Sequence, residues 1–210
     1  METGIFRDLK YVVRLPHDLK EVNPTIILLH GAGYRSSDLE VLKQYPAFRQ
    51  GTCISQDSSP FLVFAPQCHA NTWFDLFEQL RDFARAVCED PRVDKEQVYL
   101  MGASMGGYGT WQLGMSLPEL FAGMIPICGG GMRWNAERLV SIPIWAVHGE
   151  LDPAVPCDGS IGMVDAVNKA GGNAKLTLLK NVGHNAWDYT YSCQEMFDWL
   201  LQQRRVKPVK

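Results

Sequence analysis

Apolar positions along the chain fall into two kinds of block, and the two kinds alternate. Compact apolar runs at 25–29, 61–65, 98–101, 123–127 and 144–147 have the length of strands buried on both faces. A run at 11–15 suits an antiparallel edge strand, the run at 98–101 belongs to a strand over 94–101, and a last strand is expected at 174–179. Between these runs, apolar residues recur at every third or fourth position. Phe74, Phe77, Leu80, Ala84 and Val87 mark a helix over 73–88. Further helices are expected over 37–50, bent or ended at Pro46, over 105–117, stopped before Pro118, and over 159–169. A closing helix over 188–203 packs residues 198–201 inward. Strand and helix in alternation predict an α/β class, with a mainly parallel central sheet and helices on both faces.

Composition narrows this picture. The 210 residues are 46% hydrophobic, enough for one substantial core, and no linker divides them, so a single domain over 1–210 is expected. A net charge of −3 and a pI near 5.9 argue against a nucleic-acid partner. The basic residues 204–210 read as a frayed tail. Neither a leader-like apolar segment nor a run of transmembrane length is present, so a cytoplasmic protein without a membrane partner is expected. The six cysteines are spread out with no C-x-x-C pair, unlike a secreted disulfide framework or a zinc site. No metal or other cofactor is expected. Cys68 and Cys128 read as packed small hydrophobes, and Cys53, Cys157 and Cys193 as partly exposed.

Chemistry concentrates at Gly102-Ala103-Ser104-Met105-Gly106. An apolar strand precedes this pentapeptide and a helix follows, so Ser104 sits on a sharp turn. Glycine two positions either side relieves the crowding that such a turn creates. A serine hydroxyl is a poor nucleophile until a base takes its proton, and the base needs an orienting carboxylate. On elbows of this kind the partners follow in the order serine, acid, histidine, each on a loop after a strand. Of the five histidines, His17 precedes the core, His30 and His148 read as strand-end residues, and His69 lies in a loop upstream of the serine. Downstream of Ser104, only His184 has both a strand and a small-residue loop before it. Asp152, beyond the strand at 144–147, is the candidate acid; Glu150 is its rival, and Asp158 and Asp165 suit the following helix. A tetrahedral oxyanion needs two N–H donors. Met105 supplies one, and the segment His30-Gly31-Ala32-Gly33 the other, through Ala32 or alternatively Gly33.

With these residues in hand, the chain resembles the α/β-hydrolase superfamily, and within it small serine esterases of the dienelactone-hydrolase-like, phospholipase/carboxylesterase-like and polyhydroxybutyrate-depolymerase-like branch. The matching stretches are Leu28-Leu29-His30-Gly31-Ala32-Gly33, Ala65-Pro66-Gln67-Cys68, residues 98–111 (VYLMGASMGGYGTW), Pro126-Ile127-Cys128-Gly129-Gly130-Gly131, residues 148–156 (HGELDPAVP) and residues 182–188 (VGHNAWD). The resemblance implies Ser104 as nucleophile, Asp152 as orienting acid, His184 as base, and Ala32 and Met105 as oxyanion donors. The chain departs from the pattern at Gly33-Tyr34-Arg35, where relatives often carry Gly-Glu-Arg-Gly. Ser104 also stands where true dienelactone hydrolases have a cysteine nucleophile.

No insertion is long enough to form a cap domain or long lid. The substrate pocket must therefore come from loops at 68–73, 129–134 and 185–187, with Trp73, Trp134 and Trp187 as expected walls. Such walls suit a small-molecule ester with a short acyl or aryl-acyl group. The expected activity is that of a carboxylesterase working through an acyl-enzyme. The same constellation also serves an acyl-thioesterase, a lysophospholipase or a peptidase, and a catalytically silent ligand-binding protein is the alternative of another class.

Overall fold

A computed structural model describes residues 1–205; the tail residues 206–210 lie outside the described residues. Eight strands form one sheet in the order β1-β2-β4-β3-β5-β6-β7-β8. The strands are β1 (Glu2–Phe6), β2 (Leu9–Arg14), β3 (Asn23–Leu29), β4 (Leu62–Pro66), β5 (Val93–Ala103), β6 (Gly123–Ile127), β7 (Ile144–Gly149) and β8 (Ala174–Leu179). β2 runs antiparallel to both β1 and β4, and the other pairings are parallel. The edge strand β1 was not expected: its side chains are mostly exposed and it lacks an apolar run.

Alternating strand residues feed two cores. Ile27 and Leu29 of β3 and Val98 and Leu100 of β5 face one side, where they meet α2 (Phe77–Glu89), α3 (Met105–Ser116) and α4 (Asp158–Lys169). Ile26, Leu28, Tyr99 and Met101 face the other side, under α1 (Leu39–Lys43), α5 (Ala186–Ser192) and α6 (Gln194–Gln202). Both faces of the central strands are thus covered, as their continuous apolar runs require.

Three helices are shorter than their periodicity implies. The stretch 37–50 yields only α1, capped by the Asp38 carboxylate on the Glu40 N–H, and then a 3-10 turn over Pro46–Phe48. Proline cannot supply the N–H that would continue the α-helix. α2 begins at Phe77 because residues 73–76 form a turn, in which the Asp75 carboxylate accepts from the Thr72 N–H. The closing helix is two helices, parted at Cys193, whose backbone is extended (φ −88°, ψ 93°). The expected fraying does not reach Arg205, whose N–H donates to Glu96 O at 2.9 Å. Cys53 is buried rather than partly exposed, and all six cysteines are free thiols. Among the described residues, no helix is long and apolar enough to cross a membrane.

After β3 the chain crosses to β4 on one side and returns to β5 on the other. The carboxyl ends of β3 and β5 therefore flank the point where the winding reverses, the usual place for a ligand crevice in an open α/β sheet.

Candidate active site

Ser104 occupies that reversal point, between the last residue of β5 and the first of α3. Its φ of 58° lies in the left-handed region, unfavourable for a residue with a Cβ and worth roughly 1–3 kcal/mol of strain. Two backbone hydrogen bonds hold it there: Ser104 N–H donates to Ile127 O (2.8 Å), and Tyr108 N–H donates to Ser104 O (3.0 Å). The flanking glycines are sterically required. A Cβ on Gly102 would stand 2.5 Å from Gly106 O, and one on Gly106 would collide with the carbonyl of Leu29.

The three sequence-predicted polar side chains form one line. Ser104 Oγ lies 2.8 Å from His184 Nε2, and His184 Nδ1 lies 2.7 Å from Asp152 Oδ2. Because the carboxylate only accepts, Nδ1 carries the proton and Nε2 is free to accept from the serine hydroxyl. The other carboxylate oxygen accepts from the N–H groups of Ala154 and Val155, each at 2.9 Å. Burial pushes the Asp152 carboxyl upward, but hydrogen bonds from His184, Val155 and Ala154 outweigh it and hold the group below the ordinary carboxylate value. The rival Glu150 turns to the loop before His184, accepting from Asn181 N–H at 3.4 Å. Asp158 and Asp165 fall on α4, where Asp165 pairs with Lys169.

Two residues read from sequence as incidental also touch this line. His148 is completely buried; its Nε2 lies 2.9 Å from Val155 O and 3.3 Å from Asp152 Oδ2. Cys128, in a left-handed conformation (φ 47°), directs its thiol to His184 O at 3.4 Å. Burial pushes that thiol up to about 12, so it stays protonated and can donate. Donor atoms of Cys128, Asp152 and His184 lie within 4.8 Å of one another, a spacing a metal could use. His184 Nδ1 and Asp152 Oδ2 already satisfy each other, which leaves the set poorly suited to a resident ion.

Beside the serine, residues Ala32–Tyr34 form a 3-10 turn after His30-Gly31. Gly31 brings this turn against the elbow: a Cβ there would stand 3.3 Å from Ala103 O and 3.5 Å from Ser104 Cβ. Ala32 and Met105 each open a helical turn, where N–H groups have no partner within the helix. A cavity of about 320 Å³ opens beside Ala32 and Ser104, lined by residues 31–34, Tyr45, Pro46, Ala103, Ser104, His184 and Trp187. The Trp187 and His184 rings meet edge to face, with centroids 5.2 Å apart.

Of the three expected tryptophan walls, only Trp187 lines this cavity. Trp73 is wholly buried in the core behind the turn, where its Nε1–H donates to His30 O at 3.0 Å. Trp134 is 79% exposed, because Ala136 and Leu139 take the inward positions of its 3-10 segment. The remaining walls, Tyr34 and Tyr45, were missed. Their rings pack at 4.9 Å, and Tyr45 OH meets Tyr191 OH at 2.9 Å in a buried pair whose burial raises both phenol pKa values. Pro46 was the available signal, since a proline there turns residues 44–48 back over the serine instead of continuing a helix.

This sheet, with a serine elbow at its winding reversal, defines an α/β-hydrolase. The profile of the Dienelactone hydrolase family matches residues 61–189, and the chain belongs to that family. The structure resembles a crystal structure of a thermostable esterase with a TM-score of 0.84 and 32% identity, over 97% of this chain and 62% of that one. The sequence is 30% identical to the candidate esterase NocK of Nocardia uniformis subsp. tsuyamanensis, over 67% of this chain and 43% of NocK. It is 24% identical to acyl-protein thioesterase 1 of Saccharomyces cerevisiae, over 69% of this chain and 77% of that protein. The chain thus spans less than two thirds of NocK and of the thermostable esterase.

Proposed function

We propose that this chain is a cofactor-free serine carboxylesterase acting on small acyl or aryl-acyl esters. The observation that carries the reading is the unbroken line from Asp152 through His184 to Ser104, at 2.7 and 2.8 Å, ending beside an aromatic-walled cavity. Ser104 Oγ attacks the ester carbonyl carbon as its proton passes to His184 Nε2. The negative oxygen that forms rests on the N–H groups of Ala32 and Met105, each donor worth roughly 3 kcal/mol of barrier. Collapse expels the alcohol, which takes the proton from His184. Water, deprotonated by the same nitrogen, then releases the acid and restores the hydroxyl. Asp152 holds the imidazole in the productive tautomer and stabilises its charge.

The similarity to an acyl-protein thioesterase supports a second reading, in which the acyl group is carried as a thioester. Six free thiols support a cytoplasmic location for either activity. Hydrolysis of p-nitrophenyl esters from acetate to decanoate, with Ser104→Ala as control, tests the first reading. Highest activity on short chains, lost in the variant, is the expected result. Activity confined to long acyl chains or thioesters would favour the second reading. A folded protein that neither hydrolyses esters nor reacts with a fluorophosphonate at Ser104 would leave a silent ligand-binding protein instead.

A further inference from the structure

The geometry points to His30 as a positioning residue that aims the Ala32 N–H at the oxyanion by gripping the other end of the same peptide group. This inference rests on the serine-hydrolase reading above. The Gly31 carbonyl and the Ala32 N–H belong to one planar trans peptide, so fixing the oxygen fixes the opposite direction of the N–H. Gly31 O is fixed by two donors, His30 Nδ1 at 2.8 Å and Tyr34 N–H at 3.1 Å.

The ring has one way to carry its proton. Its Nε2 lies 2.9 Å from the Cys68 N–H, a group that can only donate, and 3.3 Å from the Gln67 side-chain nitrogen. Nε2 is therefore the acceptor, and Nδ1 must bear the hydrogen given to Gly31 O. The imidazole is itself immobilised: it is completely buried, Trp73 Nε1–H donates to the His30 carbonyl, and the Trp73 ring lies 5.0 Å away. Burial lowers the imidazole to about 4, which keeps it neutral near pH 7. A hydrogen bond accepted at the carbonyl also polarises the peptide and strengthens its N–H as a donor.

The other oxyanion donor is aimed without a side chain. The Met105 N–H shares its peptide with the Ser104 carbonyl, and that oxygen accepts from Tyr108 N–H at 3.0 Å within the first turn of α3. The helix aims one donor through its own backbone. The three-residue turn after β3 gives Gly31 O one backbone bond of this kind, from Tyr34 N–H at 3.1 Å, and His30 adds a second donor at 2.8 Å.

Paired substitutions separate the two ring nitrogens. His30→Asn keeps a donor at the position of Nδ1, whereas His30→Gln keeps a polar group near Nε2 and loses the grip on Gly31 O. For p-nitrophenyl acetate, we expect kcat to fall about 30-fold in His30→Gln with KM within about twofold, and to return to within about fivefold of wild type in His30→Asn. The affinity for phenylboronic acid, which forms a tetrahedral adduct on the serine, should fall with kcat. A folded His30→Gln with unchanged kcat, or equal losses in the two variants, would overturn the inference. A wild-type imidazole protonated at Nε2 rather than Nδ1 by ¹⁵N NMR would overturn it without any variant. Wild-type protein that neither cleaves esters nor binds the boronate overturns the esterase reading itself; wild type that does both while His30→Gln matches it overturns the inference alone.

Discussion

The same dipeptide follows β3 as His30-Gly31 and closes β7 as His148-Gly149, and both imidazoles are completely buried. Their Nε2 atoms nevertheless play opposite parts, an acceptor in His30 and a donor in His148. His30 Nε2 faces the Cys68 N–H, so its hydrogen is on Nδ1 and goes to a backbone carbonyl. His148 Nε2 faces two acceptors, Val155 O at 2.9 Å and Asp152 Oδ2 at 3.3 Å, so Nε2 carries a hydrogen, while Nδ1 meets the Ser160 hydroxyl at 2.7 Å. At β3 the histidine holds a backbone carbonyl, and at β7 it lies against the carboxylate that meets His184. What a buried histidine does is set by the neighbour each nitrogen meets, and that neighbour comes from a distant segment of chain.

The largest expected effect breaks the β7 end alone. In Asp152→Asn an amide NH₂ placed where Oδ2 now lies meets His184 Nδ1–H and His148 Nε2–H, three donors with no acceptor. His184 then adopts the other tautomer, and its Nε2 can no longer take the serine proton. We expect kcat to fall roughly 10⁴-fold in steady-state assays, with the oxyanion turn untouched. A loss of only a few-fold would show that Asp152 is not the orienting acid.

Acid separates the β3 end next. Burial lowers His30 from 6.5 to about 4, with the nearby Arg35 charge acting the same way and the bond to Gly31 O opposing it. Between those values the unfolded chain binds a proton that the folded protein refuses. Stability is therefore full above about pH 6.5 and falls as pH drops toward 4, by about 3 kcal/mol in all. Urea unfolding followed over that range should show the slope, and His30→Asn should remove it. An unchanged slope in that variant would assign the acid sensitivity to other groups.

The contrast between the two dipeptides also marks how far the sequence could be read. Central strands were legible because residues buried on both faces leave unbroken apolar runs, as at 25–29 and 123–127. Ser104, Asp152 and His184 were legible from residue type, chain order and position after strands, since each stands at a strand's carboxyl end. The strand β1 was not, because an exposed edge needs no apolar pattern. Tyr34 and Tyr45 were hidden for another reason: their role depends on how residues 44–48 return over the sheet, a long-range fact with only Pro46 as its local trace. Trp73 misled because a large aromatic beside an active-site loop is as useful behind the loop as in front of it.

The glycines of the two dipeptides give the smaller effects and the sharpest contrast. A Cβ on Gly149 would collide with the carbonyl of Gly183 and stand 2.5 Å from Val182 O, both in the loop that carries His184. Neither is the end of a flexible side chain, so the loop itself has to move. Gly149→Ala should lower stability by about 2–3 kcal/mol in urea unfolding. Gly31 meets much less: Ala103 O at 3.3 Å and Ser104 Cβ at 3.5 Å, a contact that a shift of a few tenths of an ångström relieves. Gly31→Ala should therefore unfold within about 1 kcal/mol of wild type. That small shift falls on the peptide gripped by His30, so the same variant should lose about fivefold in kcat with KM little changed. Equal destabilisation of the two variants would show that the elbow and the base loop are equally crowded. A Gly31→Ala protein with full kcat would show that the turn tolerates displacement, and that the Ala32 N–H is not held to the tolerance its role requires.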